Sequence, residues 1–172
     1  MASATEVNPV AIRQIVEYPA KVLATVGAPV TSFDEQLKAL VADMFETMYG
    51  DGGVGLAAQQ IGLALRLFVM DCEGVKLVAA NPEIIAREGE QLADEGCLSI
   101  GKIHSPLNRA VRATLRAQDV HGAWFEREAE GLAARCFQHE TDHNDGILFI
   151  NRLSPLKRGM VIKRFQKMRK QE

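Results

Sequence analysis

The sequence predicts an α+β domain: mainly antiparallel strands around a central helix carrying a His-Glu-x-x-His motif, plus a C-terminal helix. Three observations predict it. Leu37, Leu40, Val41, Met44, Phe45 and Met48 recur at helical period, one apolar face. Val111, Ala113, Leu115 and Ala117 alternate with Arg112, Thr114, Arg116 and Gln118, the period of a half-solvated strand. Strand signals fill the middle of the chain and helix signals stand towards its ends, which argues for antiparallel pairing.

Taken in order, residues 1–9 read as a polar flexible tail of a single domain spanning 1–172. Residues 12–30 are broken by Pro19, Gly27 and Pro29 and read as irregular wrapping chain. Ser32 followed by Glu35 reads as a capping box opening the first helix, and Gly50 closes it. A glycine-rich segment occupies 50–62. Residues 65–70 and 75–80 read as a hairpin around 71–74, with another strand over 84–92. His121-Gly122 is a turn signal that returns 123–129 antiparallel to the strand before it. Residues 131–145 form a second helix stopped by Gly146, on which Leu132, Cys136 and His139 or Glu140 share a face. Ser154-Pro155 opens a third helix, with serine as cap and proline at the first helical position.

Composition bounds the function. With 47% hydrophobic and 24% charged residues the chain is neither disordered nor fibrous, and its 172 residues bury enough surface to fold without a staple. A net charge of -2 argues against nucleic-acid binding by the chain as a whole, so no DNA partner is expected. Three cysteines, Cys72, Cys97 and Cys136, are too few and too odd for a disulfide framework and suggest a reducing compartment. The start of the chain lacks a signal-peptide pattern and no apolar run is long enough to span a bilayer. A cytoplasmic protein with no membrane partner is expected.

The chemistry centres on His139-Glu140-Thr141-Asp142-His143. On a helix His139 and His143 are i and i+4, so both imidazoles reach one metal ion, and Glu140 sits where it can touch a metal-activated water. A catalytic site needs a third ligand and an open position. Downstream candidates fail, because the metzincin-like position holds Phe149 and the only acid after Asp145 is Glu172. Upstream, Cys97 in Glu95-Gly96-Cys97-Leu98-Ser99 reads as a thiolate ligand on a polar turn, ahead of Cys72 and Cys136 as alternatives. Asp142 reads as structural, paired with an arginine such as Arg109 or Arg152. The glycine-rich segment lacks the spacing and the Gly-Lys-Ser/Thr ending of a phosphate cradle.

Three segments together, Gly53-Val54-Gly55-Leu56-Ala57-Ala58-Gln59-Gln60-Ile61-Gly62, Glu95-Gly96-Cys97-Leu98-Ser99 and Gln138-His139-Glu140-Thr141-Asp142-His143, resemble the signature motifs of the peptide deformylase family, in that order. The resemblance runs from about residue 12 to the final helix. It implies a hydrolase that removes the N-formyl group from the initiator methionine of new polypeptides in the bacterial cytoplasm, releasing formate. It implies Fe2+, replaceable by Zn2+, Ni2+ or Co2+, held by Cys97, His139 and His143. Glu140 is then the general base and acid, while Gln60 and the backbone N–H of Leu98 hold the carbonyl oxygen. Gly55 pairs with the substrate backbone, and Val54, Leu132 and Cys136 lie near the methionine side chain. The implied partner is an N-formylmethionyl nascent peptide. The basic final helix, with Lys157, Arg158, Lys163, Arg164, Lys167, Arg169 and Lys170, then offers a ribosomal RNA contact, or is simply a solvated face with Leu156, Met160, Ile162 and Phe165 turned inward. The chain departs from the family pattern at Gly101, Asn144 and Arg135, where proline, leucine and an apolar residue are usual, and at Val22-Leu23, where Leu-Arg is usual.

Overall fold

In the computed structural model, which describes residues 10–172, helix α1 spans Glu35–Gly50. Its cap is Asp34 rather than Ser32: the Asp34 carboxylate accepts the Leu37 N–H at 3.0 Å. A cap side chain reaches the N–H two or three residues after it, and Ser32, five residues before Leu37, stands too far upstream. The expected apolar face holds, with Leu37, Val41, Met44 and Met48 buried and Leu40 and Phe45 partly so. The polar tail at 1–9 lies outside the described residues.

Five antiparallel strands form the main sheet in the order β1-β2-β3-β6-β7. These are β1 (Gly55–Ala57), β2 (Leu67–Cys72), β3 (Val75–Glu88), β6 (Arg112–Gln118) and β7 (Trp124–Glu130). A two-stranded sheet pairs β4 (Gln91–Gly96) with β5 (His104–Arg109). The expected 65–80 hairpin is present, but its turn is only Glu73-Gly74, both at positive φ (52° and 78°), with Cys72 opposite Val75. That conformation belongs to the two-residue turn whose twist suits a hairpin. The strand expected over 84–92 is divided: its first part is the end of β3, which leaves β2 and pairs with β6 through two register shifts near Pro82 and Ile84, and Gln91 and Leu92 open β4. Proline donates no ladder hydrogen bond, so an irregularity is where a strand accommodates it.

β2 explains the layering. Phe68 and Met70 join one apolar cluster with Ala133, Cys136 and Phe137, while Leu67 and Val69 join another with Met44 and Met48. Alternation on a strand sends neighbours to opposite faces, so the sheet is covered on both. Helix α2 (Gly131–Asn144) packs on the first face and is buried at every residue from Ala133 to Asn144. A third cluster joins Leu23, Ile100, Ile103, Leu107, Phe149 and Phe165 under helix α3 (Pro155–Arg169). Ser154 caps α3 as expected, accepting from Lys157 N–H. The inward face of α3 differs from expectation: Val161 and Phe165 are buried, Ile162 is partly buried, and Leu156 and Met160 are exposed. Val161 and Phe165 are i and i+4, and the row that they define turns Leu156 and Met160 away from the cluster.

Candidate metal centre

One face of α2 builds the site. Leu132, Arg135, Cys136, His139, Glu140 and His143 each stand three or four residues from another of the set, so their side chains stack on one side of the helix. His139 Nε2 and His143 Nε2 stand 3.1 Å apart, and Cys97 Sγ lies 3.3 Å from His143 Nε2. The ligand atoms of Cys97, His139 and His143 all fall within 4.8 Å of one another. Cys97 is not on an open polar turn. It follows the last residue of β4, is buried, and leads into a short 3-10 helix, Leu98–Ile100. Cys72 and Cys136 stay outside the cluster. Both sit in the core between the sheet and α2, and burial pushes each thiol away from the thiolate that a metal requires.

The residues fit a divalent ion. His139 Nδ1 lies 2.8 Å from Glu95 Oε2, so the hydrogen-bond pattern assigns the proton to Nδ1 and turns the Nε2 lone pair to the cluster. Burial opposes charge on both imidazoles; at His139 the surrounding Cys97, Glu95 and Glu140 outweigh it and raise the affinity for a proton, a field that equally favours a cation. At His143 burial and the neighbouring His139 act together and lower that affinity. One sulfur and two imidazole nitrogens suit Fe2+, Zn2+, Co2+ or Ni2+ better than the hard ions that prefer oxygen.

Glu140 Oε1 lies 3.8 Å from His139 Nε2, and its Oε2 is buried with no hydrogen-bond partner. Burial pushes this carboxyl up to about 7. Gln60 Oε1 accepts the Ala57 N–H at 3.0 Å, which turns Nε2 to Cys97 Sγ and Ser99 Oγ at 3.5 and 3.3 Å. The wrapping chain holds both loops, through Val16 N–H to Gln60 O and Tyr18 N–H to Ser99 O. Gly55, Gln60, Leu98, Cys136, His139 and Glu140 all line one cleft of about 270 Å3, with Val54 and Leu132 exposed on its wall. A Cβ on Gly55 would come within 2.8 Å of Cys136 Sγ and 2.9 Å of Glu140 Oε1, so close approach requires glycine there. A larger cleft of about 450 Å3 lies beside Arg87, Arg109 and Arg152, but it holds none of the cluster's ligands.

A buried charge network supports the cluster. Asp142 pairs with both arginines named from sequence: Arg109 Nη1 at 2.7 Å, and Arg152 Nε and Nη2 at 2.6 and 2.7 Å. Glu95 takes two bonds from Arg109, one from Arg135 and one from His139. Burial works against the Glu95 carboxylate, yet His139 and Arg109 hold it well below the usual range. The role of Glu95 was missed in the sequence. A signal existed: a ligating histidine needs an acceptor for its second nitrogen, and an acid two residues from the ligand cysteine can supply it.

Two histidines on a buried helix and a cysteine at the end of a strand, with a glutamate beside them in the wall of a cleft, have the arrangement of a metal-dependent hydrolase. A family model described as polypeptide deformylase matches residues 12–159. A peptide deformylase of Acidobacterium capsulatum is 52% identical over 164 residues, covering 92% of this chain and 96% of that protein. A crystal structure of a peptide deformylase from Legionella pneumophila superposes with a TM-score of 0.89 at 46% identity, covering 93% of this chain and 96% of that one. A peptide deformylase from Ehrlichia chaffeensis, solved in complex with actinonin, gives 0.86 at 34% identity over 92% of this chain and 98% of that one. The chain belongs to the polypeptide deformylase family.

Proposed function

We propose that the chain hydrolyses the N-formyl group of N-formylmethionyl nascent peptides, releasing formate and a free amino terminus. The observation that carries this reading is the Glu140 carboxylate, buried in the cleft wall and 3.8 Å from a nitrogen of the Cys97–His139–His143 cluster. Those three residues would hold the metal, which we take as Fe2+, with Zn2+, Ni2+ or Co2+ able to replace it. When bound, such an ion supplies Lewis acidity that polarises a carbonyl and acidifies water.

The chain's own groups do the rest. Glu140 takes a proton from the water that adds to the formyl carbon and delivers it to the nitrogen as the C–N bond breaks. Gln60 Nε2 and the Leu98 N–H donate to the oxygen as it gains charge, the point at which such donors matter most. Gly55, at the edge of the main sheet, offers backbone to an extended peptide, and the absence of a side chain keeps Glu140 in place. Val54, Leu132 and Cys136 face the methionine side chain. A nascent-chain substrate places the reaction in the bacterial cytoplasm, and the basic face of α3 supports a contact with the ribosome.

The test is formate release from a formyl-Met tripeptide by protein prepared without oxygen, with metal analysis of the same sample. Stoichiometric metal and formate release are expected. Cleavage of internal peptide bonds without formate release would replace this reading with an endopeptidase.

A further inference from the structure

Arg135 is a buried guanidinium in the wall of the cleft, one helical turn before His139. Its Nη1 donates to Glu95 Oε1 at 2.9 Å and its Nη2 to the Gln91 carbonyl at 2.9 Å. Both partners belong to β4, whose end leads directly into Cys97. His139, on the same face of α2, holds the other oxygen of the same Glu95 carboxylate. Two residues of one helix thus grip one strand, and that strand presents the third ligand. A second tie lies nearer the C-terminal end of α2, where Arg109 of β5 reaches Asp142. The two ties flank His139 in sequence. The Glu95–His139 bond and the Gln91 side chain, which donates to the Gly131 carbonyl at 2.8 Å, also join β4 to α2, but of these groups only Arg135 holds both Glu95 and the Gln91 backbone.

We propose that Arg135 is a positioning residue: it sets the spacing between Cys97 on the strand and His139 and His143 on the helix. It does so by clamping β4 to α2 through Glu95 and the Gln91 carbonyl. Its position in the cleft wall makes the same side chain part of the surface met by the substrate, so pocket and ligand geometry share one support. The inference rests on Cys97, His139 and His143 being metal ligands. Arg109 joins Glu95 to Asp142 and so ties the small sheet to α2 on the other side of His139, leaving the end of α2 before His139 to Arg135.

The experiment uses Co2+-loaded protein and reads two quantities that do not depend on turnover: the thiolate-to-cobalt absorption band and the rate of Co2+ transfer to a chelator. The variants are R135M, R135Q and R135K, each checked for folding by circular dichroism. The two neutral variants keep Glu95 paired with Arg109 and His139, and either one that folds serves. They are expected to release Co2+ about tenfold faster or more, the usual effect of losing a partner that orients a ligand, with a shifted band. R135K, which keeps the charge but not the fork, is expected to fall between them and the parent. Neutral variants with the parent's band and release rate would overturn the inference while leaving the metal site intact. Parent protein that binds no Co2+ would overturn the metal site and this inference together.

Discussion

His139 and His143 meet because they are four residues apart on a helix, but Cys97 meets them across 46 residues of chain. Cys97→Ala is therefore expected to lose most of its metal and activity, whereas Cys72→Ala and Cys136→Ala keep the metal, since their thiols lie in the core outside the cluster. Metal content of the three purified variants decides this, and stoichiometric metal in Cys97→Ala would remove it from the ligand set. Glu140→Ala is expected to retain about one metal per chain and to turn over at least about 100-fold more slowly, the lower range for losing a general acid–base group. Near-normal turnover with metal retained would contradict the role given to Glu140. Gly55→Ala carries a subtler expectation. Its new methyl group would push on Glu140 Oε1 and Cys136 Sγ rather than on a ligand. Metal content should stay normal while kcat falls by about tenfold to a hundredfold, because an error of about 1 Å in placing a reacting group costs that much. A Gly55→Ala enzyme with unchanged kcat would show that the close approach is not needed.

Among the elements, the helices carry their reasons locally and the strands do not. The face of α1 was legible because Leu37 to Met48 repeat at one period, yet its cap was misplaced from Asp34 to Ser32, two residues that both satisfy cap chemistry. Only the Leu37 N–H contact separates them. Asp34→Ala should cost about 1 kcal/mol of stability. Ser32→Ala, at an exposed residue before the helix, should change stability by less than about 0.5 kcal/mol. Urea unfolding of both variants checks this, and equal losses would return the cap to Ser32. From the sequence, one strand ends at Ala80 and another begins at Ile84. The strand in fact changes partner there, from β2 to β6, and a change of partner depends on strands that lie elsewhere in the chain. α3 turns Phe165 and Ile162 inward as expected but not Leu156 and Met160, for a related reason. Its apolar residues form no single stripe, so the cluster beneath it selects Val161 and Phe165.

At the scale of the molecule, the cluster brings the end of β4 to α2 and Gln60 ties the glycine-rich loop to Cys97, so a bound metal would join parts of the chain that are distant in sequence. A ligand bound only by the folded state stabilises it by mass action, about 4 kcal/mol when its concentration is a thousandfold above Kd. Stripping the metal with a chelator should therefore lower Tm, and adding it back should restore the original value. Identical melting curves for the two forms would show that the cluster does not bind metal tightly in the native state. By itself the sequence determined the α+β class, the face that Leu132 and Cys136 share with His139 or Glu140, the pairing of His139 with His143, and the family. Helical period and motif spacing are local properties, written within a few residues. The sequence placed Cys97 first among the three cysteines, but its meeting with the histidines, the hold of Asp142 on both Arg109 and Arg152, the orientation of His139 by Glu95 and the burial of Arg135 against Glu95 were decided by the tertiary structure. Each of these is a contact between residues ten or more apart in the chain, and most are more than thirty apart. Such pairs are chosen by how sheet and helix pack, for which no local pattern exists.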